Sequence, residues 1–135
     1  MVKKILIVDD EPLICSVLSR AICKFIDSPL EIITTERGED ALKKISEGFC
    51  DVCLLDINLP DLNGLDVMKK INEISPDTKI AIMTASCVDD DMKMTIEKGA
   101  SLFLKKPVNL DKVKLFIKNI LDGIAQFPEQ ALDFD

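Results

Sequence analysis

Short apolar runs alternate along this chain with longer segments whose apolar residues recur every three or four positions, and the alternation repeats five times. The short runs are about Lys3 to Val8, Glu31 to Thr34, Val52 to Leu55, Lys79 to Met83 and Ser101 to Leu104. Ile5 to Val8 and Ile80 to Met83 are continuously apolar, as strands covered on both faces are. The longer segments predict amphipathic helices. The first starts at about Pro12, which suits a first helical turn because its missing N–H is not needed there. Its apolar face is expected to hold Leu13, Val17, Leu18, Ala21 and Phe25. The second runs from Gly38 to Ser46, with Ala41, Leu42 and Ile45 inward and Gly48 just past its end. The third spans about Gly64 to Ile74, with Leu65, Val67, Met68 and Ile71 inward.

Asp89, Asp90 and Asp91 open a fourth helix, where carboxylates favour the positive N-terminal end. Gly99 is expected at its C′ position. Asn109 is expected to cap a fifth, with Leu110, Val113, Phe116, Ile117 and Ile120 facing in. Strand and helix alternating five times predict an α/β fold, a doubly wound parallel sheet with helices on both faces. The pattern stops after Gly123, and the stretch 127–130 together with Phe134 reads as a tail or the start of a linker.

At 135 residues the size is that of one domain. The net charge of −7 argues against nonspecific nucleic-acid binding, since a phosphate backbone needs a basic face. It argues equally against an anionic membrane surface. No apolar run approaches the roughly 20 residues that span a bilayer, and the N-terminal stretch lacks a signal-peptide pattern, so a cytoplasmic location is expected. Five Cys is an odd number without zinc-finger spacing. Cys50 and Cys53 have C-x-x-C spacing but flank or occupy a strand run, and are expected to be reduced, buried thiols.

Three strand-like runs end in residues that carry chemistry. Asp9 and Asp10 close the first, Asp56 closes the third and Lys106, followed by Pro107, closes the fifth. In a parallel α/β sheet such ends lie on one edge, so residues about 50 apart converge on one crevice. Three carboxylates there repel unless a cation joins them, which points to a divalent metal and to an anion held by the lysine.

These pieces resemble the receiver domain of bacterial two-component response regulators. The matching motifs are Asp9-Asp10, D-x-x-L-P-x-x-x-G from Asp56 to Gly64, Thr84-Ala85, and F-x-x-K-P from Phe103 to Pro107. No one motif is specific; all of them in this order and spacing are. The resemblance covers residues 1–122, leaving 123–135 as tail or linker. It implies a flavodoxin-like (βα)5 fold with strand order 2-1-3-4-5.

The resemblance also implies a chemistry. Mg2+ would be bound directly by Asp10, Asp56 and the backbone carbonyl of Asn58, with Asp9 acting mostly through bound water. Mg2+ suits a site with few protein ligands because it keeps several waters. Asp56 would be the nucleophile that becomes an aspartyl phosphate. Lys106 would neutralise charge on the phosphoryl oxygens, and Thr84 would donate its hydroxyl to one of them. The Lys106–Pro107 peptide is usually cis in the family. Thr84 and Phe103 would form the switch, Thr84 moving toward the phosphoryl group and Phe103 swinging inward. The fourth helix, fifth strand and fifth helix would be read by a partner. Asn58 and Ser86, each two residues past a site residue, would border the path of a hydrolytic water.

The implied donor is a histidine kinase or phosphotransfer protein, and with no His in this chain any phosphohistidine must sit on that partner. The implied recipient is a downstream effector domain or protein. Dimerisation on phosphorylation is compatible with the family and has no feature of its own in this sequence. The chain would modify only itself and turn over no external metabolite. Three other readings compete with this one. A degenerate receiver would bind partners without phosphorylation. A phosphatase of the haloacid-dehalogenase type needs D-x-D after the first strand, where this chain has Asp9-Asp10-Glu11. A flavin carrier needs a Ser/Thr/Gly-rich loop there, and Asp-Asp-Glu-Pro would repel its phosphate.

Overall fold

The computed structural model describes residues 2–123 and 132–134. Five strands and five helices alternate: β1 (Lys3–Val8), α1 (Pro12–Phe25), β2 (Leu30–Thr35), α2 (Gly38–Glu47), β3 (Val52–Asp56), α3 (Gly64–Ile74), β4 (Lys79–Thr84), α4 (Asp90–Gly99), β5 (Leu102–Lys105) and α5 (Leu110–Leu121). The strands form one parallel sheet in the order β2-β1-β3-β4-β5, the flavodoxin-like (βα)5 arrangement expected. No helix among the described residues is long and apolar enough to cross a membrane.

Side chains alternate across the sheet, so one set of strands feeds two cores. Leu6, Val8, Cys53, Leu55, Ile80, Ile82 and Phe103 join Ala41 and Ile45 of α2, four residues of α3 and Ile96 of α4. Ile5, Ile7, Val52, Leu54, Ala81, Met83, Leu102 and Leu104 join Cys15, Leu18 and Ile22 of α1 and Val113, Phe116 and Ile117 of α5. Both faces being covered explains the unbroken apolar runs of β1, β3 and β4. Cys50 and Cys53 are buried, unpaired thiols, and burial pushes both upward from the ordinary thiol range.

Two sequence expectations change. The inward stripe of α1 is Cys15, Leu18 and Ile22, with Ile14 beside them. Leu13 is 75% exposed, and Val17 and Phe25 also face out, so of the expected face only Leu18 is fully buried. The helix carries two apolar stripes about 100° apart, and periodicity alone cannot choose between them. Gly99 lies inside α4, not beyond it, and the chain leaves through Ala100 in an extended conformation. Its smallness serves packing: a Cβ there would come within 2.7 Å of Met68 Cε and Asn72 Nδ2 on α3. Asn109 caps α5 as expected, its Oδ1 accepting the N–H groups of Asp111 and Lys112. Of the tail, the stretch 127–130 lies outside the described residues, whereas Phe134 packs its ring on Phe103 of β5.

Candidate functional site

Strand register decides which residues meet. Val8 of β1 pairs with Leu55 of β3, so Asp9 leaves β1 beside Asp56. Asp56 pairs with Met83, and Thr84 pairs with Lys105. The carboxyl ends of β1, β3, β4 and β5 therefore deliver Asp9, Asp56, Thr84 and Lys106 to one edge.

Lys106 is the hub. Its Nζ lies 2.8 Å from Asp9 Oδ2, 2.9 Å from Asp56 Oδ2 and 3.1 Å from Glu11 Oε1. The lysine side chain is 8% exposed, and Asp9 is fully buried. Burial alone would drive the ammonium to give up its proton. The Asp9 carboxylate paired with it, and the hydrogen bonds it donates to Asp56 and Glu11, outweigh that and hold its pKa above the ordinary lysine range. For Asp9 the balance falls the other way. Burial raises its pKa, and the neighbouring Asp56 charge adds to the rise, while Lys106 and the Glu11 N–H only partly compensate.

Asp9 does not cap the following helix. Its Oδ1 accepts the Glu11 N–H at 2.9 Å, and α1 begins without a side-chain cap. Asp9 Oδ2 is a buried oxygen that pairs with the Lys106 ammonium at 2.8 Å and has no hydrogen-bond partner among the described residues. The carboxylates of Asp9, Asp10, Glu11 and Asp56 offer oxygens all within 4.8 Å of one another. Four acidic groups, three of them paired with one lysine and one holding a buried oxygen without a hydrogen-bond partner, form a hard-oxygen donor set that fits a divalent cation.

Asp56 is positioned by its own loop. Its Oδ1 accepts the Asn58 N–H at 3.0 Å. The loop returns close beneath it: the Gly64 N–H donates to Ile57 O at 2.7 Å, and a Cβ at Gly64 would run into the Asp56 carbonyl. Glycine is required there by close approach, not by a left-handed backbone. The Asn58 side chain points the other way, donating to Ser86 Oγ at 2.9 Å and to Thr84 Oγ1 at 3.4 Å. Thr84 Oγ1 also accepts the Ser86 N–H at 3.0 Å. The buried Thr84 hydroxyl is thus an acceptor in each of these contacts. The Lys106–Pro107 peptide is cis.

Two residues of this neighbourhood escaped the sequence reading. Glu11 joins the lysine hub, and the only signal for it was the length of the acidic run after β1. Asp61, inside the loop that follows Asp56, accepts the N–H groups of Gly38 and Glu39 at 2.8 and 2.9 Å. Burial would raise its pKa, but those backbone donors prevail and lower it. Asp61 thereby serves as the N-terminal cap that α2 lacks from its own sequence, since Arg37 makes no side-chain cap. Nothing in the linear pattern links positions 38 and 61.

The comparisons agree with this architecture. Residues 5–118 match the response regulator receiver domain profile. The transcriptional regulatory protein CiaR of Streptococcus pneumoniae is 34% identical over 131 residues, covering 97% of this chain and 57% of CiaR. The chain spans about half the length of the curated relatives it matches. A CheY-like receiver domain protein from Methanospirillum hungatei superposes with a TM-score of 0.79 at 29% identity, covering 92% of this chain and 97% of the other. The response regulator TrrA of Thermotoga maritima, solved in complex with Mg2+ and BeF, gives 0.75 at 35% identity over 87% of this chain and 98% of TrrA. A profile match across most of the chain, a relative above 30% identity over nearly all of it, and one shared fold carry the same conclusion: the chain belongs to the response regulator receiver domain family.

Proposed function

We propose that this chain is a phosphorylation-activated switch: residues 1–122 accept a phosphoryl group on Asp56 and change the α4–β5–α5 surface, which controls a downstream effector domain or protein. The observation that carries this reading is the direct approach of Lys106 Nζ to Asp56 Oδ2 at 2.9 Å within a cluster of four acidic groups. A phosphoryl group needs charge neutralisation more than covalent help, and a buried lysine held protonated by its neighbours supplies a fixed positive point.

The donor is a phosphohistidine on a kinase or phosphotransfer protein. A lone pair on an Asp56 carboxylate oxygen forms the new P–O bond as the P–N bond breaks, and the electron pair of that bond leaves with the imidazole nitrogen. The Asn58 N–H fixes Asp56 Oδ1, and Lys106 fixes Oδ2, so the carboxylate is oriented before the donor arrives. Thr84 Oγ1 accepts from Ser86 and Asn58, which leaves its own proton for a phosphoryl oxygen. Asp10, Asp56 and the Asn58 carbonyl would hold Mg2+, with Asp9 acting through water. Bound there, Mg2+ supplies the positive charge that lets carboxylates and phosphoryl oxygens share one crevice. Asn58 and Ser86 border the face from which water would attack the aspartyl phosphate, so they set its lifetime. Catalysis is confined to the chain's own modification.

The test is intact mass after incubation with Mg2+ and a small-molecule phosphodonor, then with a panel of histidine kinases. Gain of one phosphoryl group, abolished by a chelator, is expected. No gain from any donor overturns the proposal.

A further inference from the structure

We propose that the open side of β2 pairs antiparallel with β2 of a second copy of this chain, joining two five-stranded sheets into one across a two-fold axis at Ile32. β2 and β5 are the outer strands, and each hydrogen-bonds to a single neighbour. Proteins guard such strands with short length, lysine, proline or bulges. β5 has those guards: it is four residues long, ends in the exposed Lys105, and is followed closely by Pro107. β2 lacks them. Its six residues, Leu-Glu-Ile-Ile-Thr-Thr, run in unbroken register with β1 and are rich in the β-branched types that favour pairing. Its one charge, Glu31, is engaged inward by Lys4 of β1 at 3.8 Å.

The bonds to β1 fix which backbone groups remain. The Lys3 N–H donates to Pro29 O and the Asp9 N–H to Thr35 O. In a parallel ladder the N–H and C=O of one residue share a side, and the side alternates along the strand. Glu31, Ile33 and Thr35 therefore turn these groups to β1, while Leu30, Ile32 and Thr34 turn theirs outward. Of the antiparallel registers, one uses all three outward residues: Leu30 opposite Thr34 of the second copy, and Ile32 opposite its own counterpart. Each such pair exchanges both of its hydrogen bonds. The contact also covers Leu30, Ile32 and Ile33, which are half-buried at the rims of the two cores.

Charge favours a second copy as the occupant, and antiparallel as the direction. α2 runs back along β2: a Cβ on Gly48, just past its end, would lie 3.5 Å from Lys4 Nζ, near the Glu31 end of the strand. The groove between β2 and α2 thus has Glu36, Arg37 and Asp40 toward the Thr35 end, and Lys43, Lys44 and Glu47 toward the Leu30 end. All six are exposed. The first end is net negative and the second net positive. Antiparallel pairing sets each negative end against the other copy's positive end, whereas parallel pairing sets like against like. Such complementarity selects partner and register. One strand pair with its flanking helices is a small interface, so a reversible monomer–dimer equilibrium follows. It forms at the side of the sheet away from β5 and needs no phosphoryl group.

The test is sedimentation equilibrium of the full chain without phosphodonor, from about 10 µM to about 1 mM. A dimer is expected within that range. Thr34→Pro removes an outward N–H and no bond to β1, and is expected to raise the dissociation constant at least ~10-fold. Two charge reversals are measured beside it, Glu36→Lys with Asp40→Lys, and Lys43→Glu with Lys44→Glu. Each alone is expected to weaken the dimer at least ~10-fold, since like ends then meet. An equimolar mixture of the two is expected to return to the parent's level, because opposite ends meet again, and a folding defect could not produce that recovery. A monomer throughout the range, a dimer indifferent to Thr34→Pro, or a mixture that stays as weak as its components overturns the proposal. None of these outcomes bears on phosphoryl transfer, which the mass assay reads independently.

Discussion

The two edges of the sheet handle charge in opposite ways. At the edge where strands begin, Asp51 accepts the Lys4 N–H at 2.9 Å and pairs with Lys3 at 3.8 Å, while Lys4 pairs with Glu31 at 3.8 Å. Acids and bases there match one to one, and the lysines are more than a third exposed. At the edge where strands end, three carboxylates share one lysine that is 8% exposed. Exposed and balanced pairs add little to stability and ask for no ligand. A buried excess of one sign is unfavourable unless something of opposite charge is bound. The comparison teaches where to look for chemistry: at the edge whose charges do not balance.

The sharpest way to break the comparison is to remove one carboxylate from each edge. Asp56→Asn should abolish phosphoryl incorporation, and Asp51→Asn should leave it near the parent level, with intact mass as the readout. Equal loss in both would mean that the two edges do not differ in function.

Removing the hub lysine comes next. Lys106→Ala should slow phosphorylation by roughly 100-fold, the size of effect expected when one preorganised positive group is lost. It should also destabilise the chelated protein by roughly 3–5 kcal/mol in urea unfolding, because buried carboxylates are left facing one another. The pH dependence has a definite sign. Lys106 is held above its ordinary pKa of 10.5, so its stabilisation is complete below that pH and is lost as pH rises through the elevated folded value. Asp51→Asn should leave that alkaline limb unchanged.

A smaller effect is expected at Asp61, which ties the loop after Asp56 to the start of α2. Asp61→Ala should lower stability by about 1 kcal/mol, as the loss of a helix cap does. Its pKa is depressed from the ordinary 3.8, so the contribution should be present above that pH and fade as pH falls through the lower folded value. Denaturant midpoints across that range give the check. Least of all, Lys3→Ala at the balanced edge should change stability by less than about 1 kcal/mol, and added salt should erase the difference.

Much of this was legible in the chain. Short runs rich in apolar residues located all five strands, and the ends of three of them located Asp9, Asp56 and Lys106, because a parallel sheet converts strand ends into neighbours. What periodicity could not supply was a choice between competing stripes. On α1 the stripe through Leu13, Val17 and Phe25 was as apolar as the one through Cys15, Leu18 and Ile22, and only the packing of α1 against β1, β3 and α5 selects the second. Contacts between distant polar residues were equally hidden. Asp61 serves a helix 23 residues upstream, and Glu11 reaches a lysine 95 residues away. Phe134 read as tail because it stands beyond the last strand–helix repeat. Its contact with Phe103 of β5 is tertiary, and no local pattern announces it.

The most direct test of the central claim is where the phosphoryl group goes. After reaction with phosphodonor and Mg2+, borohydride reduction converts an aspartyl phosphate to homoserine, and peptide mapping locates it. The account predicts homoserine at position 56 and at no other aspartate. Homoserine at position 9 or 10 instead, or phosphoryl transfer that leaves position 56 unmodified, would contradict it.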